Sequence, residues 1–298
     1  MFSDGITDEN NRQLFTHACA SPRYRDLEVK QIASVLDESR DLQFAAMTFV
    51  LDADTEFVAF RGTDGTLAGW EEDFNLAFLN EIPAQTEARR YLEALTEDRQ
   101  LLLGGHSKGG NLAIFSAMTC RPDIRQRIRA VYSLDAPGFR DEVIARFAAV
   151  PKPPVIRRLV PQSSIIGMLL QAQDEYKVVQ SNAISIQQHS AYSWQVSESD
   201  FIYLEELSSQ GAYFDRTLHS WLLELDDEHR ALFVRTIFGI LEKNDLHELK
   251  DFKRLRPSDI AGILDSIRDV DRDTLRTVQK ILGLLIKEAV RKIPDREE

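Results

Sequence analysis

The chain has 298 residues, and its 36 Lys plus Arg against 48 Asp plus Glu give a net charge of −12, which argues against a nucleic-acid-binding face and against attraction to anionic lipid headgroups. Two cysteines, Cys19 and Cys120, cannot build a disulfide framework, and without a CxxC pair no metal or cofactor is expected; both thiols read as buried in a reducing compartment. The start, MFSDGITDENNRQ, is acidic and polar, and no apolar run approaches the roughly 18–20 residues that span a bilayer, so the expectation is a cytoplasmic protein with no transmembrane segment.

In chain order, residues 1–40 read as one or two helices, DENNRQLFTHAC and LEVKQIASVLDE, broken at Ser21-Pro22. A hairpin follows, with Phe44–Leu51 and Glu56–Phe60 rich in β-branched and aromatic residues around a polar turn. Residues 65–80 form an aromatic-rich loop, and 84–98 are helical. LLLGGHS at 101–107 is a short buried strand that runs into a helix of small and apolar residues. Strands at 130–138, 155–160 and 176–181 continue the alternation, with a helix at 141–148 and the stiff PKPP segment in an αβ loop. Strands alternating with helices predict an α/β protein, a three-layer sandwich with a mostly parallel sheet covered by helices, over residues 1–205. From Phe214 onward apolar residues recur at helical spacing, with Asp226, Ser258 and Asp271 as N-caps. Residues 206–298 are therefore expected to be an all-α extension.

The sharpest chemical signal is Gly105-His106-Ser107-Lys108-Gly109, a G-x-S-x-G between an apolar strand and a small-residue helix. That context suits the nucleophile elbow of an α/β-hydrolase, in which glycines on both sides of a strained serine let strand and helix approach, and this is the fold expected of residues 1–205. A phosphate-binding loop is disfavoured because the lysine precedes the glycine pair. A serine hydroxyl needs an adjacent general base, and the base of this fold follows the serine. Of His189, His219, His229 and His247, the last three fall in the amphipathic C-terminal region; His189 lies 82 residues after Ser107, in the polar loop SIQQHSAYSW. His189 is the expected base. For the acid, Asp135 at the end of a strand is favoured, with Asp174, Glu175 or no true acid as alternatives. Oxyanion donors are expected from the N–H groups of Lys108 and of Thr63, where the strand FVAF breaks into Arg61-Gly62-Thr63.

Together FRGT at 60–63, the aromatic segment with Trp70 and Asp73, and GHSKGG at 105–110 resemble the class 3 lipase group of α/β-hydrolases. The combination AFRGTDGTLAGWEEDFN, GHSKGGNLA, LDAPGF, VPQSSIIGMLL and QHSAYSW is similar to an uncharacterised bacterial cytoplasmic branch of that group, from about Ser21 into the helical C-terminus. The resemblance implies Ser107 as nucleophile, His189 as base, Thr63 as oxyanion residue and the segment after it as a lid. Members of that branch often have a further N-terminal segment, which implies that this chain starts late. Two departures stand out: Lys108 replaces the usual apolar residue after the serine, and the lipase acid position falls within Ser163-Ser164. The expected function is cleavage of a carboxylic ester, small or lipid, through an acyl-enzyme. The alternative is a hydrolase fold retained for binding or scaffolding.

Overall fold

The computed structural model describes residues 8–63, 71–72, 75–76, 79–170, 175–209, 211, 226–244, 262, 265–268 and 270–280. It opens with helix α1 (Asp8–Ala20) and strand β1 (Glu28–Asp37). The strand corrects the helix expected over LEVKQIASVLDE. Val29, Ile32, Ala33 and Leu36 do fall at helical spacing, but β1 pairs antiparallel with the next strand from Glu28↔Val50 to Asp37↔Leu42. β-Branched Val29, Ile32 and Val35 suit that pairing, and the Tyr91 hydroxyl ties the strand down by donating to the Gln31 carbonyl at 2.7 Å. Because β1 is the outer strand of the sheet, its apolar residues stay largely exposed and no inside/outside alternation betrays it. Cys19 is a second correction: it is exposed on α1, where Asn11 and Ala18 are half-buried, whereas Cys120 is buried.

β2 (Leu42–Val50) and β3 (Thr55–Phe60) form the expected hairpin. Then come α2 (Pro83–Glu93), β4 (Gln100–His106), α3 (Lys108–Thr119), α4 (Pro122–Arg127), β5 (Ile128–Leu134), α5 (Asp141–Ala148), β6 (Val155–Pro161) and β7 (Tyr176–Val179). Short strands β8 (Val196–Ser197) and β9 (Asp200–Phe201) pair with each other, and β10 (Tyr203–Leu204) returns to the main sheet. The order is β1-β2-β3-β4-β5-β6-β7-β10. β3 to β7 are parallel and the edge pairs are antiparallel, a mostly parallel α/β sheet flanked by helices. All the parallel strands therefore end at one edge of the sheet, the place where sites of such folds lie.

The helices follow from their residues. α2 starts with Pro83 and buries Ala84, Ala88, Tyr91 and Leu92 on one side. α3 is apolar all round because it is covered all round: Lys108 to Met118 are buried without a break. Phe115, fully buried on α3, packs against Phe139 and Phe147 at ring-centroid distances of 6.5 and 6.1 Å. This layer fixes the helix that carries the GHSKG segment.

Of the C-terminal extension, α6 (Asp227–Lys243) is described. Asp226 caps it, accepting the His229 N–H at 2.8 Å, and Arg140 at the start of α5 donates to Asp227 at 2.7 Å. Asp271 likewise caps helix 272–280 through the N–H groups of Asp273 and Thr274. The expected cap Ser258 lies outside the described residues, as do His219 and His247. No helix among the described residues is long and apolar enough to cross a membrane.

Truncating Phe115 to Ala removes the ring that joins α3 to α5. We predict a loss of about 3–5 kcal/mol in urea unfolding. A loss under about 1 kcal/mol would mean that α3 is not held by this contact.

Candidate active site

β4 runs into α3 through Ser107, whose backbone stands at φ 56, ψ −132. For a non-glycine residue this is a strained region, costing on the order of 1–3 kcal/mol, and only a surrounding that over-determines it keeps it there. The glycines supply that surrounding. A Cβ on Gly109 would run into the Phe60 carbonyl, and one on Gly105 would collide with Gly109 and lie 2.6 Å from the Phe60 oxygen. Strand, turn and helix thus approach closer than any side chain permits. The Ser107 N–H donates to the Leu134 carbonyl at 2.9 Å, which pins the turn beside the end of β5.

One residue past that carbonyl is Asp135, also at positive φ (45) and 1% exposed. Its Oδ2 accepts the Nδ1–H of His189 at 2.6 Å. Its Oδ1 accepts the Ser164 hydroxyl at 2.5 Å and the Gly167 N–H at 3.1 Å. The carboxylate is held from both sides, and Ser164 donates to the acid. Of the alternatives, Asp174 lies outside the described residues, and Glu175 sits exposed before β7, at the opposite edge of the sheet. The loop that delivers His189 is itself anchored. Gln188, buried next to it, accepts the Ser163 N–H at 2.9 Å through its side-chain oxygen, and the Trp194 indole donates to the Gln188 carbonyl at 2.9 Å. These supports are not evident from the sequence, although two serines in the slot of the lipase acid are a usable signal.

The His106 ring lies against that of His189, tilted by 39° with centroids 4.4 Å apart, and its Nε2–H donates to the His189 carbonyl at 2.6 Å. Burial, reinforced by the neighbouring His189, lowers its pKa from 6.5 to about 4. His106 is therefore neutral at pH 7 and holds the His189 backbone without adding a charge beside that ring. His229, in contrast, is exposed and pairs with Asp226 at the start of α6, far along the chain from this edge.

A Cβ on Gly62 would lie 3.4 Å from the Ser107 Cβ and 2.7 Å from the His106 carbonyl, so the chain just past the end of β3, one residue before Thr63, passes against the elbow. Lys108 follows Ser107 directly, but its side chain is fully buried and points away from solvent. Its Nζ donates to the Gln43 carbonyl at 3.0 Å, to Gln43 Oε1 at 2.8 Å and to Glu72 Oε2 at 2.7 Å. Glu72 also accepts the N–H groups of Gln43 and Ala84, at 3.2 and 2.9 Å. Burial pushes the Glu72 carboxyl up from its ordinary value, against the pull of Lys108 and the two N–H groups. Most of the expected cover, 64–80, lies outside the described residues; Glu72, Asn75 and Leu76 within it are buried. Among the described residues no group of three His, Cys, Asp or Glu is placed to hold a metal ion.

The depressed His106 has a stability signature. Its folded value lies below its unfolded value, so the unfolded chain binds the extra proton between pH 6.5 and about 4. The stabilisation is complete above pH 6.5 and is lost as the pH falls through that window, by at most about 3 kcal/mol. Urea midpoints measured from pH 7 to 4 should fall more steeply for the wild type than for His106→Gln; parallel curves would refute a buried neutral His106.

No curated protein sequence matches the chain. Among solved structures it is similar to the lipase of Rhizomucor miehei in its propeptide complex (17% identity, TM-score 0.40, 64% of each chain covered). It is also similar to M37 lipase (16%, TM-score 0.38, 56% of this chain and 66% of that one). A third is a lipase of Yarrowia lipolytica (15%, TM-score 0.36, 57% and 69%). The chain spans less than two thirds of the Rhizomucor lipase chain that it matches. A family model matches residues 18–239, from the end of α1 through the whole sheet and into α6, and by that match the chain belongs to the Mbeg1-like family.

Proposed function

We propose that the protein is a serine hydrolase that cleaves a carboxylic ester, small or lipid, through an acyl-enzyme. The observation that carries this reading is the 2.6 Å hydrogen bond from His189 Nδ1–H to Asp135 at the same sheet edge as the strained Ser107. Bonding at Nδ1 leaves Nε2 of His189 as the basic nitrogen. In the proposed reaction Ser107 Oγ attacks the ester carbonyl while His189 Nε2 takes its proton. Asp135 stabilises the imidazolium and keeps the ring oriented. The N–H groups of Lys108 and Thr63 receive the negative oxygen of the tetrahedral intermediate. The C–O bond to the alcohol then breaks, and His189 gives the proton to the leaving oxygen. Water attacks the acyl-enzyme with its proton going to His189, and release of the acid restores Ser107. The ammonium of Lys108 does not weigh against an apolar acyl group, because its charge is spent on Glu72 and Gln43.

A fluorophosphonate probe should label the wild type at Ser107 and leave Ser107→Ala unlabelled. A folded wild type that does not label would sink the reading and favour a binding or scaffolding role. Asp135→Asn should fold and label slowly, with kcat lower by about 10⁴, or some 5 kcal/mol, because the wrong ring tautomer is favoured. A change under tenfold would remove Asp135 from the triad.

We further propose that residues 206–298 stabilise the domain formed by 1–205 and add no catalytic group, a reading supported by the Arg140–Asp227 bond. Truncation after Ser209 should give a low-melting or aggregating protein; a soluble truncated chain as stable as the full one would mark the helices as a separate module.

A further inference from the structure

The cluster beneath the elbow has a charge pair, Lys108 and Glu72, both fully buried, and a buried amide, Gln43. Buried ion pairs are poor stabilisers: well-packed apolar residues of similar volume usually serve as well or better. This one also leaves Gln43 Nε2 buried without a hydrogen-bond partner among the described residues, a further cost. Stability alone therefore does not account for it. Its connections suggest another purpose. Lys108 supplies one proposed oxyanion N–H from its own backbone. Gln43 lies on β2, whose Ala45 carbonyl accepts the Arg61 N–H at 2.9 Å and so fixes the strand end that leads to Thr63. Glu72 lies on the segment that continues from Thr63, and it also accepts the Ala84 N–H in the first turn of α2. The start of α3, strand β2 and the first turn of α2 are thus tied to one ammonium–carboxylate contact.

We propose that Lys108 Nζ, Glu72 and Gln43 act as a buried clamp that sets the spacing of the Lys108 and Thr63 N–H groups, making Glu72 and Gln43 positioning residues for the oxyanion. The inference rests on the serine-hydrolase reading. A polar clamp suits this task better than an apolar contact. Hydrogen bonds to fixed lone pairs define both distance and direction, whereas apolar side chains tolerate sliding. A shift of about 1 Å in a catalytic group costs about 10²-fold in rate, and loss of one oxyanion donor costs about 10²–10³-fold in kcat.

The test compares the full-length wild type with Lys108→Met, Glu72→Gln, the double variant of the two, and Gln43→Met. Melting temperature, kcat and KM for p-nitrophenyl butyrate, and the rate of fluorophosphonate labelling are read for each. Either single change strands a buried partner and should lower the melting temperature. The double variant removes both charges and should melt closer to the wild type than either single one. Its kcat should nevertheless stay about 10²-fold low, with KM within about threefold. Gln43→Met keeps the ion pair, and its kcat should fall about tenfold with little change in melting. A merely structural clamp would restore kcat together with stability. A folded double variant, or Gln43→Met, with kcat within threefold of the wild type overturns the proposal while the hydrolase reading stands. A wild type that neither labels nor hydrolyses overturns both.

Discussion

The backbone of Ser107 is where the architecture converges. A residue with a side chain sits at positive φ because β3, β4 and α3 come together there at distances that only Gly105 and Gly109 permit. The strain is small beside the apolar layer that imposes it. α3 is buried along almost its whole length, and the sheet beneath it is pinned by parallel ladders on both sides of β4. The serine is thereby lifted out of helix and strand alike, with its N–H committed to β5. Everything else at this edge is placed relative to that turn. Asp135 lies one residue beyond the carbonyl that holds Ser107, and Gly62 lies against its Cβ.

The second organising feature is that Asp135, His189 and Lys108 are each held by several neighbours. Asp135 has hydrogen bonds on both oxygens, His189 has its backbone held by His106 and its loop by Gln188, and Lys108 has three acceptors. A side chain held by its own neighbours loses little freedom when a substrate arrives, and this preorganisation is what electrostatic stabilisation of a developing charge requires. His106 shows the economy of the arrangement. As a neutral ring it offers a donor, whereas a cation there would oppose protonation of the ring beside it.

Much of this was legible in the sequence where a local rule governs. The strand–helix alternation from Pro83 to Pro161 follows apolar periodicity, and the G-x-S-x-G lies between the elements that its sterics demand. Asp135 could be singled out because parallel strands end at a common edge. β1 reads as a helix because an outer strand has both faces open, so Val29, Ile32 and Leu36 mimic a helix stripe while the deciding interaction is backbone pairing to β2. The exposure of Cys19 was equally hidden, since it depends on how little of α1 is covered. Lys108 was readable as a departure, but not its destination, because Gln43 and Glu72 are far from it in the chain. In the sequence Ser164 reads as a missing carboxylate, whereas its role depends on the distance to a carboxylate one strand away.

The two cysteines have a practical consequence. Cys120 is enclosed, and burial raises its thiol to about 11, so almost no thiolate exists there at neutral pH. Cys19 is open at the end of α1, and α1 reaches the loop after His189 through the hydrogen bond from the Tyr192 hydroxyl to Asn11 at 2.6 Å. The natural chain therefore offers a single chemically addressable sulfur, on a helix coupled to the loop that bears the histidine. An environment-sensitive dye can be attached there without engineering, and its emission becomes an optical report on that loop.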